Sequence, residues 1–220
     1  MLNIAIDGPA GAGKSTVAKA IAAQKGILYL DTGALYRAVG LFVISKNIDP
    51  CDESAVIGVL PEADIKLSFS KGSQHILLCG RDVTGEIRTQ PVAMAASHVS
   101  AIPAVRAFLL DLQRDIAAKN DCVMDGRDIG TVILPNADVK IFLTATPEER
   151  ARRRMKELSE KGIESDFETV VAEIKQRDKN DSTRAIAPLK PAEDAHMVDC
   201  TEMNLEQVVS AISAIIGELA

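Results

Sequence analysis

Residues 7–16 read DGPAGAGKST, which puts three glycines, a lysine and two hydroxyls close together. The spacing Gly8-x-x-x-x-Gly13-Lys14-Ser15 is that of a phosphate-binding loop. Glycines let backbone N–H groups turn inward around phosphate oxygens, and the helix that follows points its positive end at them. In such a loop, Gly8, Pro9, Ala10, Gly11, Ala12 and Gly13 supply the cradle, with Ser15 and Thr16 opening the helix. Lys14 is placed to reach the β and γ phosphates, and the Ser15 hydroxyl suits Mg²⁺. The expected ligand is a nucleoside triphosphate, ATP first. A second acid fits the same chemistry: the apolar run CVMD (122–125) ends in Asp125, where a carboxylate holds Mg²⁺ through water. GRDIG (126–130) follows at once, placing Arg127 and Asp128 at the C-terminal edge of a sheet, where open α/β folds bind ligands.

The arginines extend this reading. Arg37 follows one apolar run and Arg106 opens a long helical pattern, while Arg150, Arg152, Arg153 and Arg154 crowd one segment. Arg177, Asp181 and Arg184 stand at i, i+4 and i+7, one face if the helix reaches that far. Many guanidinium groups in a chain of net charge −6 suit a site that clamps two phosphate-bearing substrates and neutralises a transferring phosphoryl group. For a single arginine, a solvated helix face is the plainer reading. The acidic balance, with no Trp and two Tyr, argues against a nucleic-acid surface, which is basic and aromatic. A GTPase switch would need N-K-x-D after a strand. DKND (178–181) misses by one letter and falls on a helical pattern, and DVTG (82–85) lies far from any suitable strand.

These residues need a scaffold that brings strand ends together. LNIAI (2–6), ILYL (27–30), CVMD (122–125), VKIFLTA (139–145) and HMVDC (196–200) are apolar runs of strand length. Helical patterns separate most of them, the βαβ rhythm of a parallel sheet covered on both faces. The predicted fold is α/β, a P-loop core with a five-stranded parallel sheet flanked by helices. Gly26 is placed to stop the first helix, and Thr146, Pro147 and Glu149 form a capping-box sequence for a later one. Another helix starts after Asp166. One stretch breaks the rhythm: IKLSFS (65–70), a KGSQ turn and HILLCG (75–80) read as a hairpin, with RDVTGEIRT (81–89) adding a short third strand. The predicted domains are a core of 1–59, 91–149 and 171–220, a β-rich insertion at 60–90 and a short lid at 150–170. No apolar run reaches the ~18 residues of a membrane span, and MLNIAIDG carries no basic leader. Cys51, Cys79, Cys122 and Cys200 are too scattered for a zinc site or disulfide framework. Reduced, mostly buried thiols in the cytoplasm are expected, with no membrane and no nucleic acid as partner.

DGPAGAGKST, LDTGALYR, GEIRT, DGRDIGT, KIFLTA, ERARRR and IKQRDKNDSTRAIAPL, in this order, resemble the bacterial cytidylate kinases, and the likeness runs from residue 4 to about residue 200. The loop is shared by many families; DTGALYR, GEIRT and DGRDIGT are more specific. The resemblance implies a P-loop nucleoside monophosphate kinase, acting as a monomer, that transfers phosphate from ATP with Mg²⁺ to CMP or dCMP. It implies that Gly8 to Thr16 bind ATP and that Arg150, Arg153 and Arg154 close over it. It further implies Arg37 and Arg127 on the CMP phosphate, Ser97, Arg106 and Asp128 on cytosine, and Arg177, Asp181 and Arg184 on ribose and phosphates. Thr32 joins the acceptor side, and Lys14, Arg127, Arg177 and Arg184 carry catalysis. The 60–90 insertion is the nucleoside-monophosphate-binding part. Two positions depart from the family pattern: Ser15-Thr16 where Gly-Thr is common, and Thr32 where Ser is common. Cytosine chemistry suits the assignment, since a carboxylate accepts from the N4 amine and meets an acceptor in uracil instead. The other readings are a P-loop kinase of another small metabolite or nucleoside monophosphate, and a nucleotide-binding regulator without turnover.

Overall fold

The computed structural model describes residues 1–70, 73–160 and 162–219. The turn expected at Lys71 and Gly72 falls outside these residues. Along the chain run β1 (Asn3–Asp7), α1 (Lys14–Lys25), β2 (Leu28–Asp31), α2 (Thr32–Ser45), α3 (Glu53–Val59), β3 (Ile65–Ser70), β4 (Ser73–Leu78) and β5 (Arg81–Asp82). There follow α4 (Gln90–Val99), α5 (Pro103–Lys119), β6 (Cys122–Gly126), β7 (Val139–Thr144), α6 (Pro147–Glu160), α7 (Phe167–Thr183), β8 (His196–Asp199) and α8 (Leu205–Leu219). The fold is α/β as expected: β1, β2, β6, β7 and β8 belong to one five-stranded parallel sheet, and β3, β4 and β5 form a separate antiparallel sheet. The chain divides into two compact units, Met1 with Leu28–Asp121 and Leu2–Ile27 with Cys122–Ala220.

The unit holding the phosphate loop has its strands in the order β6-β1-β7-β8. β6 is buried throughout and β1 and β7 nearly so, which is why they read as continuous apolar runs without alternation. Parallel pairing sets Ile6 beside Asp125 and Asp7 beside Gly126, and Asp7 beside Phe142 on the other side. The polar ends of the strands therefore meet at one edge of the sheet. α1 stops at Gly26, whose φ of +66° and N–H to the Ala22 carbonyl make the expected left-handed cap. α8 buries Val208, Val209, Ile212 and Ile216. Between α6 and α7, Ala151, Val170, Val171 and Ile174 form a small satellite core.

Two helix starts separate the expected from the observed. Asp166 caps α7 by accepting from the Thr169 N–H at 2.8 Å. At α6 the capping box is half made. Thr146 Oγ1 accepts from the Glu149 N–H at 3.3 Å, but the Thr146 N–H goes to Thr201 Oγ1 and the Glu149 carboxylate pairs with Arg152 and Arg153. α7 ends at Thr183, so Arg184 stands one residue past it on extended backbone.

The other unit packs α2 against α4 and α5 around Leu35, Val39, Phe42, Val43, Val99, Val105 and Leu109. Gly40 lets two helices approach: a Cβ there would lie 2.9 Å from the backbone nitrogen of Ala96. β3 and β4 pair antiparallel, with Ile65 opposite Leu78 and Leu67 opposite Ile76. The third strand is shorter than the sequence predicts. β5 is two residues long, and the chain then tightens into a 3₁₀ turn at Glu86–Arg88. α3 and α4 are helices that the sequence reading leaves unassigned. The cysteines also need correction: Cys122 and Cys200 are buried, but Cys51 and Cys79 are exposed, Cys79 at the bend after β4 with φ +49°.

Candidate active site

The loop between β1 and α1 has the phosphate-cradle shape. Gly8 has φ +144°, and a Cβ there would fall 1.9 Å from the Leu143 carbonyl oxygen, so no other residue fits without moving β7. Lys14 is 5% exposed, and its Nζ donates to the Pro9 carbonyl at 2.7 Å. Burial first, and then the Arg127 cation, hold its ammonium well below the usual lysine range. An anionic ligand at this position would relieve both effects. Ser15 Oγ donates to Asp125 Oδ2 at 2.9 Å, across 110 residues of chain, whereas Thr16 is exposed. Ser15 is thus the hydroxyl that faces the second acid. A hydroxyl and a carboxylate side by side fit a hard divalent cation that takes its remaining ligands from phosphates and water.

Two arginines of the expected lid strap the loop from outside. Arg150 is 3% exposed; its Nε donates to the Ala145 carbonyl and its Nη1 to the Ala10 carbonyl at 3.0 Å. The same guanidinium binds both oxygens of Asp178. Arg153 reaches the Ala12 carbonyl at 3.4 Å and the Cys200 carbonyl at 2.7 Å. Arg154 pairs with Glu157, and Arg152 with Glu149, on the outer face.

A second cluster lies in the same unit. Arg127 Nε donates to Asp181 Oδ2 at 2.9 Å, and Arg184 Nη2 stands 3.9 Å from Asp128 Oδ1. Asp128 and Asp181 are both buried. Burial opposes the ionisation of Asp181, but Arg127, Arg177 and Arg184 outweigh it, and its carboxyl stays below the usual range. The i, i+4, i+7 spacing thus brings the three α7 positions onto one cluster, although Arg184 itself is beyond the last helical turn. The charges of Arg127 and Arg177 also bear on Lys14.

The remaining candidates lie in the other unit. Thr32 opens α2 behind Asp31, whose carboxylate caps the Ala34 N–H at 3.0 Å and pairs with Arg88 at 2.8 Å. Arg37 donates to the Ile87 carbonyl at 3.3 Å, so DTGALYR and GEIRT meet here. Arg106 lies 5.4 Å from the Tyr36 ring centre and donates to the Ser100 carbonyl at 3.1 Å. The Ser100 hydroxyl in turn holds the Ser97 carbonyl at 2.9 Å, which ties Ser97 to Arg106. Sequence reasoning missed Asp7, Gln74, Arg88 and Asp178 as parts of this framework. Gln74 is the least visible, since it grips both backbone groups of Asp31 from an ordinary strand position. Asp178 lies in DKND, a motif whose letters suggest base reading and give no sign of a partner for Arg150.

A glycine-rich cradle with a buried lysine, between a parallel strand and a helix and beside a serine–aspartate pair, defines a P-loop phosphotransferase. The family description for cytidylate kinase matches residues 4–218. The chain is 51% identical to a cytidylate kinase of Caldicellulosiruptor bescii over 96% of its own length and 93% of that protein's. It is 52% identical to one of Carboxydothermus hydrogenoformans, over 98% and 97% of the two chains. A crystal structure of shikimate kinase from Bacteroides thetaiotaomicron shares the fold, with a TM-score of 0.50 at 13% identity over 98% of each chain. This chain belongs to the cytidylate kinase family, and is a nucleoside monophosphate kinase.

Proposed function

We propose that the protein transfers the γ-phosphoryl group of ATP to CMP or dCMP, giving ADP and CDP or dCDP. The observation that carries this reading is the Arg127, Asp128, Arg177, Asp181 and Arg184 cluster in the same unit as the phosphate loop. Gly8 to Thr16 cradle the triphosphate, with Lys14 on the β and γ oxygens. Ser15, with Asp125 through water, would hold Mg²⁺, which would neutralise phosphate charge when bound. Arg127, Arg177 and Arg184 bind and orient the phosphates. The attacking oxygen of a monophosphate is already anionic at neutral pH, so no residue need act as a strong base; positioning and charge neutralisation do the work. Asp128 accepts from the cytosine N4 amine, and Asp181 serves the ribose. In the other unit Thr32, Arg37, Ser97 and Arg106 are acceptor contacts too.

On this reading residues 60–90 act as the nucleoside-monophosphate-binding insertion. Residues 150–170 act as a lid, with Arg150, Arg153 and Arg154 on ATP, and closure excludes water so that ATP is not hydrolysed. No single helix among the described residues is long and apolar enough to cross a membrane. The reading extends to a cytoplasmic monomer working on small molecules; the four free thiols fit a reducing compartment and the net charge of −6 fits the absence of a nucleic-acid partner. ADP release from ATP and Mg²⁺, measured with CMP, dCMP, UMP, AMP, GMP and no acceptor, tests it. Fast turnover confined to CMP and dCMP is expected. Preference for another monophosphate would replace the cytosine assignment, and idle ATP with every nucleotide would end it.

A further inference from the structure

Asp7 closes β1 one residue ahead of the phosphate loop, and neither the cradle nor the acceptor cluster accounts for it. Its side chain is buried and both oxygens are committed. Oδ1 accepts from the Ile129 N–H at 2.8 Å, and Oδ2 from the Gly130 N–H at 2.7 Å. These two amides follow directly on Arg127 and Asp128, and they open a single π-helical turn at Ile129–Ile133. Gly130 is packed on this contact: a Cβ there would lie 3.2 Å from Lys140 Cδ and 3.5 Å from Asp7 Oδ2.

We propose that Asp7 is a positioning residue for the acceptor side: its two backbone bonds fix the peptide after Asp128, and so set where Arg127 and Asp128 present their charges. This rests on the reading of Arg127 and Asp128 as acceptor-side residues. The chemistry of the side chain supports it. Only a carboxylate offers one acceptor oxygen to each of two adjacent N–H groups; the isosteric amide turns an NH₂ toward one of them. A buried carboxylate also has a cost. Burial pushes the Asp7 carboxyl up to about 6, and the neighbouring Asp128 charge adds to this, while Lys14 offsets part of it. A strand end needing only a cap would be served by a neutral side chain. Asp7 also joins the donor loop to the acceptor loop, because Gly8 is its next residue and Ile129 and Gly130 are its partners. One rigid link thereby sets the distance between the donor cradle and the residues that hold the acceptor, on which in-line transfer depends.

The test is steady-state kinetics of Asp7→Asn with ATP, CMP and UMP beside the wild type. The expected result is a KM for CMP raised by roughly tenfold or more, as for a lost hydrogen bond to a charged group. CMP-over-UMP preference should narrow, with KM for ATP within about twofold. A KM for CMP that does not move, or KM values for ATP and CMP that rise in parallel, would overturn the role. If Asp7→Asn does not fold, Gly130→Ala carries the same test, since its methyl crowds Lys140 and Asp7 without removing a charge. A selective rise in KM for CMP supports the proposal and an unchanged or parallel one overturns it. The two readings fail differently. Wild-type protein that phosphorylates no monophosphate removes the acceptor reading and this role with it, whereas normal wild-type turnover with insensitive variants removes only the role of Asp7.

Discussion

Arg150 binds the carboxylate of Asp178 through two nitrogens, at 2.9 and 2.5 Å, and the same guanidinium holds the Ala10 carbonyl of the phosphate loop at 3.0 Å. The pair links α7, which carries Arg177 and Asp181, to the phosphate loop. Arg150 is 3% exposed, so Asp178 is the anion that compensates its buried guanidinium. For Arg150 to touch ATP it must release Asp178 or share its nitrogens.

Breaking such a pair from one side leaves a buried charge uncompensated. Asp178→Ala should therefore destabilise the fold by about 3–5 kcal/mol, read by urea unfolding. A loss under about 1 kcal/mol would mean that the pair is solvated and worth no more than a surface bridge.

Lys14→Ala should lower kcat by roughly 100-fold or more, as when one preorganised electrostatic donor is removed from a transition state. The thermal midpoint should stay put, because the substitution removes a cation whose own environment disfavours its charge. Near-normal kcat would take Lys14 out of the transition state.

Asp128→Ala should raise KM for CMP by roughly ten- to a hundredfold, the range for a lost hydrogen bond to a charged group, and KM for ATP far less. Initial rates with each substrate varied in turn decide it. Equal effects on both would argue against base reading.

Asp7 also predicts a pH dependence of stability. The folded chain keeps this proton up to about 6, while the ordinary value is 3.8. Its contribution to stability is thus fully present below the unfolded value and is lost as pH rises through the folded one. Asp7→Asn removes that loss. The difference in thermal midpoint, variant minus wild type, should therefore be more favourable at about pH 7.5 than at about pH 4.5. Whatever the altered hydrogen bond costs is common to both conditions and cancels. A difference that ignores pH would mean the carboxylate is not penalised by burial.

Much of the fold and the phosphate loop was legible from residue order because the signals are local. Apolar runs of strand length alternating with helical patterns fixed the α/β class, Gly26 and Asp166 marked helix ends through their backbone and capping chemistry, and Gly8 to Ser15 encode the cradle within one turn. Where two local solutions competed, as at Glu149 between its cap and two arginines, the sequence could name the residues but not the winner. Helices α3 and α4 went unread because their short apolar patterns are decided by burial in the core they share with α2.

By itself, then, the sequence determined most of the elements, where the phosphate loop sits and which residue types surround it, since backbone propensity and turn chemistry act over a few residues. Only the tertiary structure decided which polar groups meet. Asp7 reaches Ile129 and Gly130 because parallel pairing sets it beside Gly126, and Asp178 reaches Arg150 because α6 and α7 pack through Ala151 and Ile174. Such partners are chosen by strand register and helix packing across tens to hundreds of residues, and a buried charge takes whichever partner that geometry supplies.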